Sequence, residues 1–64
     1  MTNAITHADA TAYVAKHFAN ETIEILHTMA NEEEGAVDVI FSLEGGTFNM
    51  TVWHEPGVGI YGEW

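Results

Sequence analysis

Two stretches of alternating apolar and polar residues meet at a pair of glycines in the second half of the chain. The first is AVDVIFSLE, residues 36–44, and the second is TFNMTVWHE, residues 47–55. A period of two is typical of a β-strand with one buried face. Gly45 and Gly46 between them predict a hairpin. The residues expected to face the core are Val37, Val39, Phe41 and Leu43 in the first stretch, and Phe48, Met50, Val52 and His54 in the second.

The segment before these strands favours a helix. Thr6 and Asp9 have the spacing of a capping box, and HADATAYVAKHFAN contains neither Gly nor Pro. These features predict a helix over about residues 7–19 that stops at Asn20. When successive residues of this helix are placed 100° apart, its apolar residues fall on one face that can pack against a sheet. Its members are Ala10, Tyr13, Val14, His17 and Phe18.

Two further segments decide how many strands the sheet has. In TIEILHTM, residues 22–29, Ile23, Ile25, His27 and Met29 alternate as in a strand, although the same letters also fit a short helix. After the break at Pro56–Gly57, VGIYGEW can form a short fourth strand carrying Val58 and Ile60, to which Trp64 can also belong. We therefore expect one α+β domain over residues 1–64, with the N-terminal helix packed on a three- or four-stranded antiparallel sheet.

Charge is the dominant feature of the composition. The chain has ten Asp and Glu residues and a single base, Lys16, which gives a formal net charge of -9. Such a chain repels nucleic acid and anionic membranes and attracts basic protein surfaces. With no cysteine and no apolar leader at the N-terminus, the sequence predicts a cytoplasmic protein whose partner is a basic protein. Direct binding to nucleic acid or to a membrane is not expected.

The sequence contains no pattern that specifies catalysis, a cofactor or a metal. The four histidines, His7, His17, His27 and His54, lack the spacing of a known zinc motif. We expect them at the edge of the core or on the surface. The EGGT stretch is better explained as a hairpin turn than as a phosphate-binding loop. The sequence therefore predicts a protein that is not an enzyme and that has no catalytic, cofactor-binding or metal-binding residues.

The acidic residues follow the predicted sheet. Four of them occupy polar-face positions of strands, and three form the turn in NEEEGAVDV. Trp53 would lie on the same outer face, near Leu26 and Ile40, and could anchor a partner. Distances between neighbouring side chains on a sheet are similar in size to the distances between successive phosphates of DNA. A sheet face that carries carboxylates can therefore imitate a phosphate array. The candidate partner-binding residues are Glu24, Glu32, Glu33, Glu34, Asp38, Glu44, Glu55 and Trp53.

In its size, its acid-rich NEEEGAVDV region and its helix with a small sheet, the chain resembles phage-encoded anti-CRISPR proteins directed at type I surveillance complexes. The resemblance implies a noncatalytic inhibitor, acting in the host bacterial cell. Its acidic surface would block target or PAM DNA from a basic site on one subunit of the complex. The alternative is a small acidic interaction module that dimerises through the outer sheet face or the C-terminal strand, with charge serving solubility. Both a monomer and a dimer remain open at this point.

Overall fold

A computed structural model describes residues 5–64 and contains one helix and four strands. The strands form a single antiparallel sheet in the order β1-β2-β3-β4, and α1 packs against one face of it. The predicted α+β fold is confirmed, with four strands, and the segment over residues 22–29 belongs to a strand. The elements are α1 His7–His17, β1 Ile23–Asn31, β2 Ala36–Leu43, β3 Gly46–Glu55 and β4 Gly59–Glu63.

The capping box at the start of α1 is present as the sequence predicts. The backbone N–H of Asp9 donates to Thr6 Oγ1 at 3.0 Å, and the backbone N–H of Thr6 donates to Asp9 Oδ2 at 3.3 Å. Both bonds satisfy amides that the first helical turn leaves without partners. The helix ends at His17, two residues earlier than expected, with Phe18 as its C-terminal cap.

The core lies between α1 and the inner face of the sheet, which we define as the face that contacts α1. Val14 from the helix packs with Val39 and Phe41 from β2, and all three are fully buried. The Phe18 ring lies 5.2 Å from the ring of Phe41, and Trp64 closes this end with its ring 5.1 Å from that of Phe18. No polar or charged side chain is buried among residues 5–64. The predicted inward positions of β2 are confirmed.

A β-bulge in β1 overturns part of the predicted inner face. The register with β2 shifts between Ile25 and His27, so Ile25 pairs with Phe41 whereas Thr28 pairs with Val39. The extra residue reverses the side of the sheet to which every later side chain of β1 points. His27 and Met29, predicted to face the core, therefore lie on the outer face. Thr28 takes the inner position and its Oγ1 lies 2.7 Å from His7 Nδ1.

The hairpin between β2 and β3 is displaced by one residue from the predicted pair of glycines. Leu43 pairs with Gly46, so the two turn residues are Glu44 and Gly45. Their φ angles are 49° and 82°. Positive φ at both positions is what a type I′ hairpin requires. Glu44 therefore lies in the turn, and its predicted place on a strand face is wrong.

The helix covers less of the inner face toward both ends of β3 and β4. Phe48 and His54 are exposed although their parity places them on this face, because α1 is too short to cover the whole length of the strand. Glu55 pairs with Gly59, which leaves residues 56–58 as a turn. Val58 lies in this turn and outside the fourth strand, and its side chain is 70% exposed.

Substitution of Gly62 in β4 tests how closely α1 packs against the sheet. A Cβ at this position would lie 2.9 Å from Met50 Sδ, 2.9 Å from Tyr13 Cε2 and 3.1 Å from Val52 Cγ2. We expect Gly62→Ala to lower the free energy of unfolding by about 1–3 kcal/mol, the usual cost of overpacking. That is a large part of the roughly 3–10 kcal/mol typical of a domain this size. Urea denaturation measures the change.

Gly46→Ala is the matched control for this substitution. Its Cβ would lie 3.0 and 3.1 Å from two atoms of the Phe48 ring and at an ordinary contact distance, 3.6 Å, from Leu43 O. Phe48 is 39% exposed, so its ring has more room to move aside than the fully buried Met50 and Val52 beside Gly62. Equal destabilisation by the two substitutions would show that α1 does not pack tightly on β4.

Candidate protein-binding face

The face of the sheet opposite α1, which we call the outer face, carries the predicted binding residues that belong to β2 and β3. Side chains alternate along a strand, and Val37 and Val52 are buried beneath α1. Asp38, Thr51 and Trp53 therefore point away from the helix. The strand register places Thr51 between Asp38 on β2 and Glu63 on β4.

Three acidic residues of this region are each held by one hydrogen bond. Thr51 Oγ1 donates to Asp38 Oδ1 at 2.6 Å, and Trp53 Nε1 donates to Glu55 Oε1 at 2.7 Å. In the turn between β1 and β2, Asn31 Nδ2 donates to Glu34 Oε2 at 3.0 Å. Each carboxylate keeps further acceptor positions. The bonds thus orient these groups while leaving them able to accept from a partner.

Trp53 is the large aromatic side chain at the middle of this arrangement. It is half-buried, and its ring lies 5.5 Å from the ring of Tyr61 on β4 at an interplanar angle of 77°. An edge-to-face pair of this kind stabilises both rings beyond their burial. The predicted outward position of Trp53 is therefore observed, together with a partner that the sequence had not indicated.

The predicted acids do not form one continuous surface. The chain order of the strands places the β1–β2 turn and the end of β3 at one end of the sheet. The acids at this end, which we call the turn-end group, are Glu32, Glu33, Glu34 and Glu55. At the opposite end, Glu21, Glu24 and Glu44 surround a shallow depression and form what we call the hairpin-end group.

The two groups are far apart compared with the reach of their charges. β2 has 8 residues, and a strand rises about 3.3 Å per residue, so its ends are about 25 Å apart. The Debye length at physiological ionic strength is about 8 Å. The candidate binding residues predicted from the sequence are therefore divided, with Glu24 and Glu44 at the opposite end of the sheet from the triple-glutamate turn. A partner contacting the turn-end group meets Asp38 and Glu63 next, and not Glu24 or Glu44.

An open hollow lies on the outer face beside Trp53, and we call it the Trp53 hollow. Ala36 and Thr51 are among its lining residues, with Trp53, Glu34 and Glu63 around them. Its volume is about 660 Å³. Glu63 is a residue that the sequence analysis did not nominate. The alternation of residues in β4 could have placed it on the outer face, but its position beside Thr51 depends on the strand register.

The electrostatics of the outer face are one-sided. The only Lys or Arg in the chain is Lys16, and it belongs to α1, on the inner side of the sheet. The carboxylates of the outer face consequently have no lysine or arginine of their own chain beside them. Their charge is left for water, counterions or a partner to neutralise.

The histidines are dispersed over the molecule. His7 bonds Thr28 at the start of α1, and His17 packs between the rings of Tyr13 and Phe18. His27 is on the outer face and His54 is exposed near the end of β3. Within residues 5–64, no three His, Asp or Glu side chains gather closely enough to hold a metal ion.

Comparison with known proteins adds no identification. No family, no curated protein and no solved structure matches the chain. The helix described in residues 5–64 lacks the length and apolar character needed to cross a membrane.

The bond between Thr51 and Asp38 should contribute to stability. We expect Thr51→Val to lower the free energy of unfolding by about 1 kcal/mol, because a typical hydrogen bond contributes about that much. Thr47→Val is the control, since Thr47 is exposed on the same face of the same strand. Equal urea midpoints for the two variants would show that the Asp38 bond is absent in solution.

Proposed function

We propose that this protein is a noncatalytic inhibitor of a type I CRISPR-Cas surveillance complex. Its outer face and turn-end group bind a basic site on the complex and block target or PAM DNA from that site. The observation that carries the proposal is the one-sided charge: the net charge is -9, and no Lys or Arg lies on the outer face. Charges of one sign on a surface favour a partner of the opposite sign.

Local concentration of charge supports imitation of DNA at one end of the sheet. The accessible surface is 4383 Å², which corresponds to about 490 Å² per net charge if the charge is spread evenly. Duplex DNA, with one charge per roughly 1.7 Å of axis, carries about one per 100 Å². An even coat is therefore too dilute to compete with DNA. The turn-end group, with three consecutive glutamates and Glu55 at the same end, raises the local density.

The distribution of acidic residues over the rest of the molecule favours a binding surface over a general coat of charge that keeps the protein soluble. A coat for solubility would cover every exposed surface, including α1. α1 carries one acid, Asp9, and that carboxylate accepts the capping bond from Thr6. The acids are thus concentrated on the sheet and its turns.

An exposed edge favours a second candidate function, a small module that dimerises. β4 is an edge strand, and Ile60 and Tyr61 on it are 38% and 40% exposed. Unpaired edge strands with apolar side chains readily add another strand. Sedimentation separates the candidates, because a dimer formed through β4 has twice the mass of the monomer at concentrations where inhibition is complete.

Charge reversal at the two ends of the sheet tests the proposed inhibitor. We expect Glu32→Lys, Glu33→Lys and Glu55→Lys together to reduce affinity for the surveillance complex at least about tenfold, since each close charge pair can contribute 1.5 kcal/mol or more. The control variant changes Glu21, Glu24 and Glu44 to Lys. Both variants have the same net charge, so long-range attraction is matched. Competition with fluorescent target DNA measures affinity.

The comparison should be made at two salt concentrations. Association through the turn-end group should slow as salt is raised, because exposed charges are screened beyond about 8 Å at physiological ionic strength. If both variants inhibit DNA binding as well as the original protein does, imitation of DNA is refuted. If the hairpin-end variant is the weaker one, the binding surface lies at the other end of the sheet.

A further inference from the structure

The outer face combines a fixed aromatic side chain with carboxylates that come from different elements. Trp53 is held in two ways, by the bond from its Nε1 to Glu55 and by edge-to-face contact with Tyr61. The indole is therefore oriented before any partner arrives. The Glu55 carboxylate also places a negative charge next to the indole, which makes the surroundings of the ring more attractive to a cation.

Carboxylates reach the Trp53 hollow from two sides. Glu34 belongs to the turn before β2 and is held by Asn31, whereas Glu63 belongs to β4 on the other side of β3. Both line the same hollow as Trp53. Ala36 of β2 also lines the hollow, and it contributes only a methyl side chain. The indole and both carboxylates therefore border one open space that a cation can enter.

From this geometry we infer that the Trp53 hollow binds an arginine side chain of the basic partner. The guanidinium group is planar and weakly hydrated, it stacks on aromatic faces, and its five N–H donors pair with carboxylates. A lysine ammonium is a compact and strongly hydrated charge that gains less from a flat indole. The combination of Trp53 with Glu34 and Glu63 therefore selects arginine over lysine.

The occupant cannot be a second copy of this protein. The only basic residue of its sequence other than histidine is Lys16, so the chain contains no arginine to offer. Two copies would also bring like charges together on their outer faces. Charge complementarity thus assigns the hollow to a different, basic protein. The inference rests on the proposed function insofar as the partner docks on the outer face.

Peptides of equal charge test the inference without the surveillance complex. Hexa-arginine and hexa-lysine peptides are titrated into the protein of residues 1–64, and the indole N–H resonance of Trp53 is followed by NMR. Trp53→Phe identifies that resonance. We expect hexa-arginine to bind about fivefold more tightly, as a partly exposed cation–π contact allows, and to shift the Trp53 signal more. Equal affinities with an unmoved Trp53 signal would overturn the inference.

Two variants locate the preference for arginine. Trp53→Leu should bring the two peptides to the same affinity, while hexa-lysine binding changes less than twofold. Glu34→Gln with Glu63→Gln should weaken hexa-arginine more than Glu21→Gln with Glu44→Gln, a control with the same change of charge. If Trp53→Leu does not fold, the wild-type titration alone decides. A retained preference for arginine in folded Trp53→Leu refutes the hollow as its cause.

The same variants separate this inference from the proposed function. Failure of the original protein to bind a type I surveillance complex refutes the proposed function, while selective binding of hexa-arginine at Trp53 still supports the hollow. Conversely, full inhibition of the complex by folded Trp53→Leu, with unchanged affinity, leaves the proposed inhibitor standing and overturns the arginine site.

Discussion

Packing of the single helix against one face of the sheet is the contact on which the rest of this structure depends. Val14 and Phe18 bury the centre of β2, and the apolar groups beneath them supply the whole core of the described chain. Residues 5–64 contain no second helix that could cover the other face. The outer face therefore remains in contact with water. Its carboxylates, its hydroxyl groups and the half-buried tryptophan are compatible with that exposure. The outer face is available for binding because residues 5–64 do not bury it.

Much of this arrangement could be predicted from local patterns. Alternation in AVDVIFSLE fixes which side chains of β2 face α1, and the Thr6–Asp9 spacing marks the start of the helix. The bulge in β1 could not be predicted in this way, because it depends on how two strands fit together. With Gly45 and Gly46 adjacent, two turn positions were possible. The observed turn uses Glu44, which tolerates a left-handed backbone less readily than glycine.

The candidate site was predictable to a similar degree. Asp38 and Trp53 were placed on the outer face by the period of their strands, and the triple glutamate was placed in a turn. Separation of Glu44 from that turn follows from strand length and direction, so it could have been inferred once the hairpin was accepted. The Trp53 hollow could not, because it requires the register of β4, the small side chain of Ala36 and the bond that holds Glu34. Such features depend on the tertiary structure.

The strand order repeats the order of the chain, and this has a consequence for how the protein folds. Each strand pairs with the one before it, so every pairing in the sheet closes a short loop at small entropic cost. Packing of α1 against the sheet joins parts of the sequence that are far apart, and its most distant contacts are with β4 and Trp64. The loops that cost most entropy to close are those between α1 and the C-terminal end of the chain, which include the contact between the rings of Phe18 and Trp64.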